Sequence, residues 1–275
     1  MIRVYVDSGS SIKTEEKQKY NVEILPLKIL FDDKEYLDGI DLTFDDFYHK
    51  LIDEKKFPKT SLPNVTEVED EINNYTKQGD DVIIVTISSG ISGTYNYLRL
   101  TFEDNPKVHV IDSLSAVGGV RLIVNEINKY RNDGIDVVLN RVNELIPRIK
   151  IIAIPEVLTY LERGGRLSKA GLIVGSLLQL KPIITFVDGK VTVLSKKRGL
   201  KTAMNELINL LEELKCDPNY KIVPSYTYST KNIDEVISLL DEKYKNSLEV
   251  YDNLDPAIAA HWGPNAFGLI FVGKK

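Results

Sequence analysis

The residues best suited to chemistry are hydroxyls at turns. Ser88, Ser89, Ser92 and Thr94 fall within seven positions together with Gly90 and Gly93, directly after the apolar run 82–87 and before a helix-like stretch from Tyr95. A strand that ends in such a turn and re-enters a helix offers small side chains, hydroxyl donors and free backbone N–H groups, which together cradle an anion such as phosphate or carboxylate. Two shorter turns, Asp7-Ser8-Gly9-Ser10-Ser11 and Asp112-Ser113-Leu114-Ser115, repeat the pattern. A lone histidine, His261, precedes Gly263-Pro264. On residue type alone, His261 caps the preceding helix, Thr94 caps the following one, and Asp7 and Asp112 are turn-formers. His49 and His109 read as structural.

Several chemistries have no sequence support. There is no Walker phosphate loop, no dinucleotide glycine fingerprint after the first strand, and no His or acidic cluster at metal-ligand spacing, so neither cofactor nor metal is expected. Gly90-Ile91-Ser92-Gly93 lacks the residue that a hydrolase nucleophile elbow places between Ser and the second Gly. The pairs Arg163 and Arg166, flanking Gly164-Gly165, and the run Lys196-Lys197-Arg198 read as surface charge.

The elements that must hold these turns follow from hydrophobic patterning. Buried strands at 3–6, 82–87 and 108–111 alternate with helices, the mark of a largely parallel sheet covered on both faces, and ligands in such sheets sit beyond the strand carboxyl ends, where the three Ser-rich turns would cluster. Strands at 22–30 and 34–37 flank a turn at Asp32-Asp33, and Thr43 caps a helix. Thr60 is expected in a loop ahead of a helix that Asn64 and Glu67 cap. Past Pro155 the pattern gives a helix at 156–163 stopped by two glycines, an apolar helix at 169–180, a hairpin about Asp188-Gly189, a core-facing helix at 201–214, a strand at 221–223, a helix at 233–244, and strands at 248–251 and 268–272. The expected architecture is an α/β protein of two lobes, residues 1–155 and 156–275.

Composition sets the class. The 275 residues carry 35 basic and 40 acidic side chains, a net charge of −5, mixed along the chain, so no nucleic-acid stripe is present. The single cysteine, Cys216, excludes an internal disulfide and fits a reducing cytosol. The first residues read as a strand rather than a signal peptide, and no apolar run approaches the roughly 20 residues of a membrane span. A soluble cytoplasmic protein is expected. Residue types alone carry the reading to a two-lobe α/β protein with a small-anion pocket.

The ordered set Val6-Asp7-Ser8, Thr60-Ser61-Leu62-Pro63, residues 88–95, Val110-Ile111-Asp112-Ser113, residues 161–168, Gly175-Ser176-Leu177-Leu178 with Lys181-Pro182-Ile183, and Gly263-Pro264 resembles the DegV family of bacterial fatty-acid-binding proteins, which includes the FakB subunits of fatty acid kinase. The resemblance spans nearly the whole chain. It implies one long-chain fatty acid held between two lobes, its carboxylate on Thr60, Ser92 and His261 with Arg198 adding charge, and its acyl chain in the second lobe along Leu172, Ile173, Val174, Leu177 and Leu178. It further implies a non-catalytic carrier that presents the carboxylate to an ATP-dependent kinase partner, with Arg163 and Arg166 contacting that partner or the new phosphate. Transient peripheral membrane contact is compatible with this role. The sequence departs from the family pattern at Asn64, Trp262, Asn265 and the stretch 224–227. Core packing remains the alternative for the apolar helix. A stand-alone acyl hydrolase or transferase using Ser92 and His261, or a lipid-sensing regulator, remain the alternatives for function.

Overall fold

The structure is a computed structural model and describes residues 1–168 and 180–275. In chain order the first part contains β1 (Ile2–Asp7), α1 (Lys17–Tyr20), β2 (Glu23–Leu25), β3 (Lys28–Phe31), β4 (Lys34–Leu37), α2 (Phe44–Tyr48), β5 (Lys59–Ser61), α3 (Thr66–Lys77) and β6 (Asp81–Thr86). There follow α4 (Thr94–Thr101), β7 (Val108–Asp112), α5 (Gly118–Tyr130), α6 (Ile135–Leu145), β8 (Ile149–Ile154) and α7 (Thr159–Arg163). The remainder is β9 (Leu180–Val187), β10 (Lys190–Arg198), α8 (Leu200–Glu213), β11 (Val223–Tyr226), α9 (Lys231–Leu239), α10 (Glu242–Lys245), β12 (Asp252–Asn253), α11 (Pro256–Trp262) and β13 (Phe267–Val272).

Three sheets result. The first, in the order β2-β1-β6-β7, is parallel throughout, as the buried runs require. Val6, Val82, Ile83, Ile84 and Val85 have no exposed surface, because helices cover both of its faces. The second, β10-β9-β8-β13-β11-β12, is antiparallel except for the β11–β12 pair. Strand β8, which ends at Ile154, belongs to this sheet. The third is the small antiparallel set β4-β3-β5.

Local expectations were met where the signal was strong. Thr43 Oγ1 accepts the Asp46 N–H, and Asn64 Oδ1 accepts the Thr66 N–H at the head of α3. Asp188 and Gly189 both take positive φ, 49° and 74°, the conformation of a two-residue hairpin turn. Helix α8 buries Ala203, Met204, Leu207, Leu210 and Leu211 on one face.

Others were corrected. Thr60 lies not in a loop but in β5, opposite Ile29 of β3. Lys59-Thr60-Ser61 is too short and polar to announce a strand, and its pairing is supplied by a neighbour distant in sequence. Helix α7 begins only at Thr159. Leu180 to Pro182 are already strand; β8 pairs only with Ile184 and Thr185, so the N–H that Pro182 lacks costs β9 no ladder bond to β8. The expected helix at 233–244 is broken by the extended Leu240 into α9 and α10. The strand expected at 248–251 falls instead on Asp252–Asn253, with Leu248 making only a single bridge to Ile222.

Candidate functional site

The three Ser-rich turns meet at the carboxyl edge of the parallel sheet, and two carboxylates, the buried Asp7 and the half-buried Asp112, tie them together. Asp7 accepts N–H groups from Gly9 in its own turn and from Ile87 in the next, at 3.0 and 2.8 Å. Asp112 accepts from Ser89 and Leu114, both at 3.0 Å. Burial pushes the Asp7 carboxyl up to about 7 despite those two donors. The residues that type alone marked as turn-formers therefore form the turns, and they also lock them to each other.

A second fastening comes from the β9–β10 hairpin. Ser88 Oγ donates to the Gly189 carbonyl at 2.7 Å. The approach is close enough that a Cβ on Gly90 would stand 2.3 Å from the same carbonyl oxygen. Gly90 is thus required by the packing between two chain segments.

Beside this turn lies a cavity of about 190 Å³. Its polar lining residues are Thr60, Ser61, Ser92, Gly93, Arg166 and His261; its apolar ones are Leu27, Leu62, Ile87, Ile91, Leu161, Val191, Ala257, Ile258 and Trp262. Thr60 arrives on the edge strand β5 and His261 in the last turn of α11. Their side chains meet, Thr60 Oγ1 to His261 Nε2, at 2.8 Å. Ser92 Oγ lies 2.8 Å from Thr94 Oγ1 and accepts the Thr94 N–H at 3.3 Å. It is His261 and Thr60 that are joined, and Ser92 is bonded within its own turn.

The protonation of His261 follows from its surroundings. Burial, and then the positive charge of Arg166, push its pKa down to about 4, so the ring is neutral at neutral pH. Among the described residues, Nδ1 has no hydrogen-bond partner. It faces Gly164, where a Cβ would lie 2.2 Å away. A buried N–H without an acceptor is costlier than a lone pair without a donor. The proton therefore sits on Nε2, which donates to Thr60 Oγ1, and the Thr60 hydroxyl hydrogen is free to donate into the cavity.

The glycines on either side of this contact permit it. Gly164 closes α7, its N–H donating to the Tyr160 carbonyl at 2.9 Å. Gly263, at φ 73°, lies where a Cβ would strike the Tyr160 ring at 2.3 Å. α7 and α11 can pack this tightly only with glycine at both places. Asn265 adopts φ 59°, which asparagine tolerates, and donates to Glu156 Oε2 at 2.8 Å. Thr227, in the stretch that departs from the family pattern, donates to the Gly263 carbonyl at 2.7 Å and accepts the Ala266 N–H at 2.9 Å.

The arginines separate into three positions. Arg166 lines the cavity, half-buried, its Nε donating to the Ile91 carbonyl at 3.0 Å and its NH1 to the Gly164 carbonyl. Among the described residues it has no carboxylate partner. Arg163 is exposed, its guanidinium 4.0 Å from the Phe57 ring, which stacks on Tyr160 with ring centres 5.3 Å apart. Arg198 is a correction. It is exposed at the end of β10 opposite Leu180, whereas Val191 at the start of that strand lines the cavity. Seven residues of extended chain separate the two, roughly 23 Å. Arg166 occupies the place in which Arg198 was expected, and the signal for it, a basic residue just after a helix-ending glycine pair, does not by itself specify direction. Leu172, Ile173, Val174, Leu177 and Leu178 lie outside the described residues. The apolar lining that sequence reasoning missed comes from α7, β10, three residues of α11 and loop residues, none conspicuous alone.

Among the described residues, no helix is long and apolar enough to cross a membrane and no cluster of His, Cys, Asp or Glu is arranged to hold a metal ion.

Comparison with known proteins gives a consistent outcome. The DegV family model, described as an uncharacterised protein of the DegV family, matches residues 1–274. A DegV domain-containing protein of Caldanaerobacter subterraneus subsp. tengcongensis is 31% identical over 99% of each chain. The fold is similar to that of a fatty-acid-binding DegV family protein of Streptococcus agalactiae, with TM-score 0.89 and 28% identity over 100% of this chain and 99% of that one. It is similar also to a stearic-acid-binding protein of Eubacterium ventriosum, with TM-score 0.86 and 27% identity over 100% and 99%. With the parallel sheet, the linked turns and the Thr60–His261 contact in place, the chain belongs to the DegV family.

Proposed function

We propose that this protein binds one long-chain fatty acid, holds its carboxylate at Thr60, Ser92, His261 and Arg166, and presents it to an ATP-dependent kinase subunit that converts it to acyl phosphate. The carrying observation is the mixed lining of the cavity, where hydroxyls, a neutral histidine and a guanidinium with no carboxylate partner among the described residues stand together with aliphatic side chains. A carboxylate taken from water needs several donors. The Thr60 hydroxyl, the Ser92 hydroxyl and Arg166 can supply them, while the neutral ring of His261 orients Thr60 without adding charge.

Affinity then resides in the tail. Each methylene buried contributes about 0.8 kcal/mol, so a chain of roughly 16 carbons is held mainly by apolar contact, and the head group sets orientation. Ser61 and Gly93, both exposed, lie at the polar end, which leaves a bound carboxylate accessible to a second protein. Arg163, exposed on the Phe57–Tyr160 stack, is the side chain assigned to that partner in this reading. The division into lobes at residue 155 is part of the same proposal, with the acyl tail reaching the second lobe. In this reading the chain carries and does not catalyse: Ser92 and His261 are bonded to different partners, and among the described residues Nδ1 has no acid to orient it.

Mass spectrometry of gently purified protein should find a co-purified long-chain acid, and addition of a kinase subunit with ATP should yield acyl phosphate. A protein that is empty and takes up no added fatty acid would overturn the proposal. Hydrolysis of acyl esters by the protein alone, lost in Ser92→Ala, would favour an enzyme instead.

A further inference from the structure

Helix α11 carries His261, yet its amino end is not capped by the residue that precedes it. Asp255 occupies the cap position, but its side chain makes no capping bond and instead accepts from Lys13 Nζ at 2.5 Å. Pro256 has no N–H, and Ile258 and Ala259 both donate to the Asp255 carbonyl at 2.9 Å. The remaining donor of the first turn, the Ala257 N–H, goes to Asp38 Oδ1 at 3.0 Å, across 219 positions of the chain. Ala257 and His261 stand one helical turn apart and both line the head-group cavity, so what holds Ala257 in place also holds His261.

Asp38 is itself fixed to the part of the fold that carries Thr60. The residue is 2% exposed; its Oδ2 accepts from Ser8 Oγ at 2.7 Å and its backbone N–H donates to the Leu27 carbonyl at 2.9 Å. Ser8 Oγ in turn accepts the Leu27 N–H at 3.0 Å. Leu27 lies two residues before Ile29 of β3, the residue opposite Thr60 on β5. The path closes on itself: from Thr60 across to β3, through Leu27 and Ser8 to Asp38, from Asp38 to Ala257, along α11 to His261, and back to Thr60 at 2.8 Å. Lys13 fastens the loop ahead of α11, whereas Asp38 holds the first turn of the helix itself.

We infer that Asp38 is a positioning residue of the head-group site, setting α11 so that His261 Nε2 meets Thr60 Oγ1. The inference rests on the fatty-acid reading above. Asp38 does not line the head-group cavity, so it acts through the Thr60–His261 contact rather than on the ligand.

The test measures binding of one saturated straight-chain acid of about 16 carbons to delipidated protein by calorimetry. Asp38→Leu removes both acceptors and is expected to weaken binding about tenfold, whereas Asp38→Asn keeps an acceptor for the Ala257 N–H and should lose less than about threefold. In a His261→Leu background no contact is left to position, and there Asp38→Leu should cost less than about twofold. Asp38→Ala, which admits solvent from an adjoining cleft of about 300 Å³, gives a smaller loss than leucine and serves if the leucine variant does not fold. Nitrogen NMR of the imidazoles supplies a second readout: the wild type and Asp38→Asn show His261 with its proton on Nε2, and Asp38→Leu shows a mixture of the two tautomers. Equal losses in both backgrounds with the tautomer unchanged, or no loss in either, mean a merely structural role and overturn the inference while leaving the fatty-acid reading intact. Wild-type protein that binds no acid overturns both.

Discussion

His261 Nε2 stands 2.8 Å from Thr60 Oγ1, although 201 positions separate the two residues in the chain. The contact joins the edge of a small antiparallel sheet to the end of α11, and it decides which way the Thr60 hydroxyl points. If Nε2 carries the proton, Thr60→Ser should keep most ligand affinity, whereas Thr60→Val, of the same shape but without the donor, should lose about tenfold or more. His261→Gln, which retains a donor near the Nε2 position, should bind better than His261→Leu. Titration of the four proteins with one fatty acid would check the order, and equal affinities for Thr60→Val and wild type would remove Thr60 from the site.

The same histidine should register in acid stability. Its pKa is lowered from 6.5 to about 4 in the folded protein, so between those values the unfolded chain binds the extra proton and the folded chain does not. Its neutral burial is fully tolerated above the unfolded value, and stability falls as pH drops from about 6.5 toward 4. The loss is on the order of 2 kcal/mol, discounted because the ring is partly accessible. Denaturant midpoints of ligand-free protein at a series of pH values, compared with His261→Gln, should show a shallower acid slope in the variant.

Asp38 predicts the opposite slope. It is buried, accepts from Ser8 Oγ at 2.7 Å and from the Ala257 N–H at 3.0 Å, and lies near Asp255. Burial first, and then the negative charge of Asp255, hold its carboxyl well above the usual range. A raised folded pKa means that the stabilising contribution is complete below the unfolded value near 4 and is lost as pH rises through the folded value. Asp38→Asn should therefore flatten the decline of stability on the alkaline side of about pH 4, as read from melting temperatures across pH. An unchanged profile would show that Asp38 is not the group titrating.

The docking of the β9–β10 hairpin gives a mutational test of packing. Gly90→Ala brings a Cβ to 2.3 Å from the Gly189 carbonyl, and Gly189→Ala adds a Cβ at φ 74° and 2.3 Å from Ser88 Oγ. Each should cost about 2 kcal/mol, because backbone and a bonded hydroxyl, rather than flexible side-chain ends, must give way. Chemical denaturation would measure it. Ligand affinity should fall as well, since the displaced turn carries Ser92.

Arg166 is expected to contribute binding rather than stability. Arg166→Gln keeps a donor for a neighbouring carbonyl and removes the charge, so fatty-acid affinity should drop about tenfold while the melting temperature changes little. The corresponding change at Arg198, far along β10, should leave affinity unaltered.

Much was legible before any fold was known. Alternating buried strands and helices with Ser-rich turns at strand ends specified the parallel sheet and the clustering of those turns at its carboxyl edge, because a strand covered on both faces must be apolar and its polar residues are displaced to its ends. The Asp-Gly hairpin and the face of α8 were equally plain, since both depend on contacts within a few residues. The strand character of Thr60, the insertion of Arg166 rather than Arg198 into the cavity and the fastening of Gly90 to Gly189 were not legible. Each is a relation between segments apart in the chain, where a short polar strand is stabilised by its neighbour, an arginine finds a carbonyl of a distant turn, and a glycine admits the backbone of a hairpin. Local sequence encodes the propensity of each segment, and the donors facing a carboxylate are determined only when packing brings those segments within about 3 Å of each other.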